Sequence, residues 1–236
     1  MKKQIVTIAA LAMSLNMFAQ QWPVPSQEAK PGTRWWWLGS AVTENDLKWN
    51  LRQYADHGIG AIEITPIYGV QGNEKNNIPF LSPRYMDILK YVNAECKADG
   101  IEFDMATGTG WPFGGPWVPL DESASQMLII DTTVVGKKIK ALDLRPIEKK
   151  RKNTSLVGIY AFSEGKFLKI TTPLVEGTLT TKLPSKGTWR IIALYQKKGV
   201  MAVKRAAPGG AGLVIDHFDK QAVTNYLKHI EEAFEK

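Results

Sequence analysis

Hydrophobic positions along the chain follow two rhythms, and the change between them falls near Leu120. Before it, short apolar runs alternate with stripes at helical spacing. Trp35-Trp36-Trp37-Leu38 reads as an aromatic strand ending at Gly39. Thr43, with Asp46 three places on, caps a helix whose Leu47, Leu51, Tyr54 and Ala55 fall at i, i+4, i+7 and i+8, and Gly58 stops it. Residues 61–67 form a second strand. Ser82 caps the next helix with Pro83 at its first position; Tyr85, Leu89, Val92 and Cys96 make its stripe, and Gly100 closes it. Residues 102–106 are a third strand. Strands separated by helices in this way predict parallel pairing with right-handed crossovers.

After Leu120 the helical spacing disappears. Short β-rich runs at 128–135, 156–162, 167–171, 178–183 and 189–195 are separated by Gly, Pro, Asn or Ser, the texture of antiparallel strands. Ala206-Ala207-Pro208-Gly209-Gly210 marks the exit from this stretch. Asp219 then caps a last helix with Val223, Leu227, Ile230 and Phe234 as its apolar stripe. The expected architecture is α/β: a partial (β/α)8 barrel, comprising its first three βα units, with an inserted antiparallel β domain. The barrel part occupies 21–122, the β-rich insertion 123–208, and the return with the final helix 209–236. Three strands cannot close a barrel, which needs eight. The chain therefore reads as the front part of something longer, and the missing C-terminal part of the barrel is its expected partner.

Composition narrows the classes. Apolar residues make up 44% and charged residues 22% of 236, an ordinary globular balance that excludes a disordered, collagenous or coiled-coil chain. A single cysteine, Cys96, excludes an internal disulfide framework, and His57, His217 and His229 are too far apart for a zinc signature. Lys2 and Lys3 precede an apolar run at 5–15, and Ala19 offers a small residue near a cleavage point, so 1–20 reads as a secretory signal. The run is too short for a membrane span, and the mature protein is expected to be periplasmic or secreted. Losing Lys2 and Lys3 takes the formal charge from +7 to +5. Much of the remainder sits in Lys137, Lys138, Lys140, Arg145, Lys149, Lys150, Arg151 and Lys152. No aromatic residue lies among them, so the stacking partners of a nucleic-acid groove are missing and the cluster reads as a solvated hairpin face.

The candidate chemistry sits on the strands and their loops. In the second strand Ile62 and Ile64 share one face while Glu63 and Thr65 share the other; in the third, Phe103 and Met105 oppose Glu102 and Asp104. Parallel strands covered by helices are normally apolar on both faces. Glu63 and Asp104 are therefore expected to point into the barrel interior, away from the helices, near the C-terminal strand ends where active sites sit. The loop from Thr107 to Trp117 combines four glycines with Trp111, Phe113 and Trp117. Glycines let backbone approach a ligand, and flat rings stack on the C–H faces of pyranoses. No Gly-Lys-Ser/Thr follows, which excludes a phosphate loop. Of the tryptophan triplet, either Trp36 or the Trp35/Trp37 pair can face a pocket, and Tyr68 leaves the second strand at the same end. Asp216-His217 lacks a serine elbow to serve and reads as a turn before the last helix.

Thr33-Arg34-Trp35-Trp36-Trp37-Leu38-Gly39, Ile62-Glu63-Ile64-Thr65-Pro66-Ile67-Tyr68-Gly69, Phe80-Leu81-Ser82-Pro83 and the Asp104 to Trp117 stretch together resemble glycoside hydrolase family 106. The resemblance implies an exported α-L-rhamnosidase-like enzyme that releases terminal rhamnose with inversion, on a (β/α)8 barrel with a calcium ion near the sugar. The family's catalytic glutamates come from later in the barrel and have no counterpart here, so the resemblance transfers no catalytic role. Glu63, Asp104, Thr107, Trp111, Trp36 and Tyr68 are expected to bind substrate, a rhamnose-containing oligosaccharide or polysaccharide. No cofactor is expected in this portion; calcium belongs to the full-length family enzyme. Two other readings remain at this point: a non-catalytic glycan-binding protein, and one half of a split glycosidase.

Overall fold

The computed structural model describes residues 23–147 and 152–235. The leader expected at 1–20, and Lys149, Lys150 and Arg151 of the basic cluster, lie outside the described residues. Among the described residues no helix is long and apolar enough to cross a membrane.

The first part follows the two sequence periodicities. Strand β1 (Gly32–Leu38), helix α1 (Glu44–Asp56), strand β2 (Ala61–Ile67), helix α2 (Pro83–Asp99) and strand β3 (Glu102–Met105) alternate along the chain. β2 lies between β1 and β3, and both pairings are parallel. The helices start where the caps predict: the Asp46 N–H donates to Thr43 Oγ1 at 3.3 Å and the Tyr85 N–H to Ser82 Oγ at 3.3 Å. Arg84 forks both oxygens of Glu44 near the two helix starts, at 2.7 and 2.9 Å, while Arg52 meets Asp99 near the two helix ends. α1 and α2 therefore run side by side in the same direction. The Arg84 guanidinium holds the Glu44 carboxyl below its ordinary range.

Ile62 and Ile64 of β2 bury in one apolar cluster with Leu47 and Leu51 of α1 and with Tyr85, Ile88, Leu89, Val92 and Cys96 of α2. Trp37 joins it at 1% exposure, and Trp35 packs edge-on between Trp37 and Tyr54 at 5.8 and 5.4 Å. Burial pushes the Cys96 thiol up to about 11, which makes it a packing residue.

The chain then changes character. A two-residue strand β4 (Gly114–Gly115) is followed by β5 (Ser125–Val135), β6 (Lys138–Asp143), β7 (Thr154–Ser163), β8 (Lys166–Ile170), β9 (Thr178–Lys182), β10 (Thr188–Lys198) and β11 (Leu213–Val214), with α3 (Lys220–Phe234) last. β5, β10, β7 and β8 form a four-stranded sheet in that order, β6 pairs with β9, and β4 with β11, all antiparallel. Leu128, Ile159, Ala161, Trp189, Ile191 and Ala193 make a second apolar cluster with Ile139, Leu144 and Leu179.

The expectation of a partial (β/α)8 barrel is overturned. Only β1, β2 and β3 are parallel, they form an open three-stranded sheet, and most strand residues lie in antiparallel pairs. The described chain is mostly β with three α-helices, and no barrel pattern runs through it. The periodicity of 33–106 reports pairing and crossover, both local properties. After β3 the backbone enters β4, whose partner is the distant β11, so the βα repeat stops there.

Two smaller corrections follow from side-chain size. The last helix buries Ala222, Tyr226 and Ile230, while Leu227 and Phe234 of the expected stripe stand half-exposed. The expected stripe passed over alanine and over tyrosine, whose hydroxyl needs a partner and finds one. β6 was not expected at all. Only Ile139 and Leu142 pair inward across a register shift, which breaks the two-residue rhythm that marks a strand. Arg145, counted with the cations, is forked onto Asp143 with 2.8 Å from Nε to Oδ1.

The antiparallel segment is stitched at its neck. The Ala124 N–H donates to Val214 O at 2.8 Å and the Asp216 N–H to Glu122 O at 2.8 Å. Between them buried Ser123 accepts from the Gly199 N–H at 2.8 Å and donates to Leu120 O at 2.7 Å. Ser123→Ala strands the part-buried Gly199 N–H, while Leu120 O keeps the backbone N–H of residue 123 at 3.3 Å. It is expected to lower unfolding free energy by about 1–3 kcal/mol in urea titration, and a loss under about 0.5 kcal/mol would show the neck to be wet or slack.

Candidate functional site

The sheet face turned away from α1 and α2 carries charge. Register places Arg34, Glu63 and Asp104 in one row across β1, β2 and β3, with Trp36 and Thr65 paired two residues further on. Arg34 lies along Glu63, with Nε 3.0 Å from Oε1 and Nη2 3.3 Å from Oε2, and the Thr65 hydroxyl donates to Oε1 at 3.1 Å. The Arg34 guanidinium also sits over the Trp36 ring at 5.6 Å. Asp104 Oδ1 accepts the Met105 N–H at 2.7 Å.

These residues floor an open cavity of about 450 Å³ whose wall is the loop after β3, including Thr107, Trp111 and Phe113. That volume falls in the range of small-ligand sites. Trp36 and Trp111 meet at its edge, rings 6.4 Å apart and steeply inclined, each 43% exposed. Trp37, the next residue, points the other way into the core, as strand alternation requires. Five of the six expected site residues thus line one cavity: Glu63, Asp104, Thr107, Trp111 and Trp36. Tyr68 does not line it. Its hydroxyl instead accepts from Arg205 Nη1 at 3.0 Å, and Arg205 lies against the other neighbour of that rim, Trp111.

The loop is held by the chain itself. Trp111 and Lys204 exchange backbone hydrogen bonds at 3.0 and 2.9 Å, and the Tyr226 hydroxyl donates to Thr107 O at 2.9 Å. Burial pushes that hydroxyl up to about 12, so it remains a donor across the working range of pH. The loop glycines were expected to admit a ligand. A Cβ on Gly110 would instead meet Lys204 O at 2.0 Å, and one on Gly114 would meet Leu213 O at 2.2 Å. Those glycines serve close backbone approach within the protein, and Gly110 also lines the cavity. Asp216 accepts from the Phe218 N–H at 3.1 Å and from Ser125 Oγ at 3.3 Å, the turn expected ahead of the last helix.

Arg34 and Arg205 were not among the expected site residues. Arg34 had a signal, since it shares strand parity with Trp36 opposite Glu63. Arg205 had none, standing 137 positions from Tyr68 and reaching the rim through tertiary structure alone. Among the described residues no group of three His, Cys, Asp or Glu converges, and Glu63 is shared between Arg34 and Thr65.

Comparison with known proteins adds the family. The model of glycoside hydrolase family 106, described as alpha-L-rhamnosidase, matches residues 23–166, well over half of the chain. The chain belongs to this family. A curated relative from Formosa agariphila, named "Putative beta-glucuronidase", is 24% identical over 244 residues, covering 86% of this chain and 21% of its own length. The rhamnosidase from Novosphingobium sp. PP1Y is similar in fold, with a TM-score of 0.57 at 14% identity over 89% of this chain and 37% of that one. The family 106 chain thus spans about a fifth of the first protein and somewhat over a third of the second.

Proposed function

We propose that this family 106 chain supplies a saccharide-binding pocket to a glycoside hydrolase, and that the sugar held there is a terminal α-L-rhamnosyl unit of a plant or microbial glycan. The observation that carries the reading is the pairing, in one open cavity, of a carboxylate floor with two exposed indoles. Hydroxyls are recognised by acceptors and donors held in place beforehand, and the C–H face of a pyranose by a ring plane. Glu63 is fixed by the Arg34 fork, and Asp104 keeps its second oxygen clear of the bond to Met105. Both are assigned as hydroxyl acceptors. Glu63, already shared with a guanidinium and a hydroxyl, suits that role better than proton transfer. Thr107 adds a short polar group at the wall, and Trp36 and Trp111 supply the planes. The Lys2-Lys3 pair with the apolar run at 5–15 supports export of the protein.

Calorimetric titration of the 236-residue chain with methyl α-L-rhamnoside tests this. Binding is expected, and Trp111→Ala is expected to weaken it about tenfold, close to 1.4 kcal/mol. Absence of heat with the intact chain, or equal affinity in the variant, would overturn the assignment of the pocket.

A further inference from the structure

Past Trp111 the rim continues to Tyr68, and between the two rings lies Arg205. Its guanidinium carbon is 5.4 Å from the Tyr68 ring centre and 5.5 Å from that of Trp111, and Nη1 donates to the Tyr68 hydroxyl at 3.0 Å. The backbone beneath is equally constrained. Arg205 sits at φ +57°, in the left-handed region, with its carbonyl accepting the Tyr68 N–H at 3.1 Å. Its neighbour Lys204 is tied to Trp111 by two backbone bonds. A non-glycine residue keeps such a conformation only where its surroundings determine it.

The other arginine of this face, Arg34, is occupied by Glu63. Arg205 makes no ion pair with any carboxylate among the described residues, although its side chain is exposed. A guanidinium carries five N–H donors and one is used here, so four remain, in a plane braced by two aromatic faces. That is a fork positioned in advance, one indole away from the pocket.

We propose that Arg205 binds an anionic substituent, a carboxylate or a sulfate ester, on the sugar adjoining the one held in the pocket, which makes acidic glycans the substrate class. The inference rests on the pocket being a saccharide site. Charge-assisted bonds to an oxyanion are about twice as strong as neutral ones, and the forked geometry matches two oxygens at once. Tyr68 becomes a positioning residue that acts through Arg205, which explains why it lies at the rim and not in the cavity.

Four probes separate the possibilities by calorimetry on the full chain: methyl α-L-rhamnoside, a neutral rhamnosyl-glucose disaccharide, its rhamnosyl-glucuronic acid counterpart, and the sulfate monoester of the neutral form. At least one anionic disaccharide is expected to bind about fivefold or more tightly than the neutral one, with the advantage shrinking as salt rises. Which of the two does so identifies the source of the charge. Arg205→Gln should bring that ratio to about one, and Arg205→Lys should retain part of it as a point charge without the fork. Equal binding of anionic and neutral disaccharides by the intact chain, or a ratio that survives Arg205→Gln, would overturn the inference. Methyl α-L-rhamnoside reports on the pocket alone, so its failure to bind would overturn the reading of the pocket instead.

Discussion

Trp37→Ala is expected to destabilise the protein by about 3–5 kcal/mol, enough to unfold a marginal domain at room temperature. The indole is 1% exposed, edge-on to Trp35 at 5.8 Å and to Tyr85 at 6.2 Å, within the cluster that joins the parallel sheet to both of its helices. Neighbours so bound by secondary structure cannot collapse into the space it leaves. Its chain neighbour Trp36 offers the control, because truncating a ring 43% exposed removes far less contact. Urea unfolding of the two variants should separate them by 2 kcal/mol or more on these grounds. Similar losses for both would mean that the alternation of β1 is not what sorts core from pocket.

The second large effect is at Gly110. Its φ is +56°, and an added methyl carbon would stand 2.0 Å from Lys204 O and 2.8 Å from the carbonyl carbon of Arg205, all backbone. Nothing flexible can give way. Gly110→Ala combines the left-handed penalty of roughly 1–2 kcal/mol with loss of the two hydrogen bonds that tie Trp111 to Lys204, for about 2–5 kcal/mol in all. It should also weaken binding of methyl α-L-rhamnoside by about the tenfold expected of Trp111→Ala, since Trp111 loses its support. Gly58→Ala is the comparison: φ is +81° but no atom lies within 4 Å of the added carbon, so only the conformational penalty applies. Thermal melts and titration of both variants check this, and equal melting temperatures would show that the loop and the strap at 204–205 are not in register.

Much of this was legible in the residues, for local reasons. Thr43, Ser82 and Asp219 announced their helices because a cap is a contact within three residues. Glu63 and Asp104 could be assigned to one face because strand alternation needs no tertiary knowledge. The expected barrel failed for the converse reason: closure depends on what a strand pairs with, and β4 pairs with β11 across nearly a hundred residues. Arg205 was hidden for the same reason. Its importance comes from Tyr68 and Trp111 arriving at it from two other loops, and no spacing in the sequence encodes that meeting. Gly110 was noticed as one of the loop's glycines and does line the cavity, but its close approach to the Lys204 carbonyl comes from tertiary structure that a string of letters does not carry.

The neck at Ser123 has a further consequence. The chain enters the antiparallel sheets beside Val214 and leaves them beside Ala124 and Ser123, so the whole excursion begins and ends at nearly one spot. Such a segment behaves as a cassette: it can be lengthened, trimmed or exchanged through a short graft without moving the tryptophans, provided Lys204 and Arg205 are kept on the receiving side.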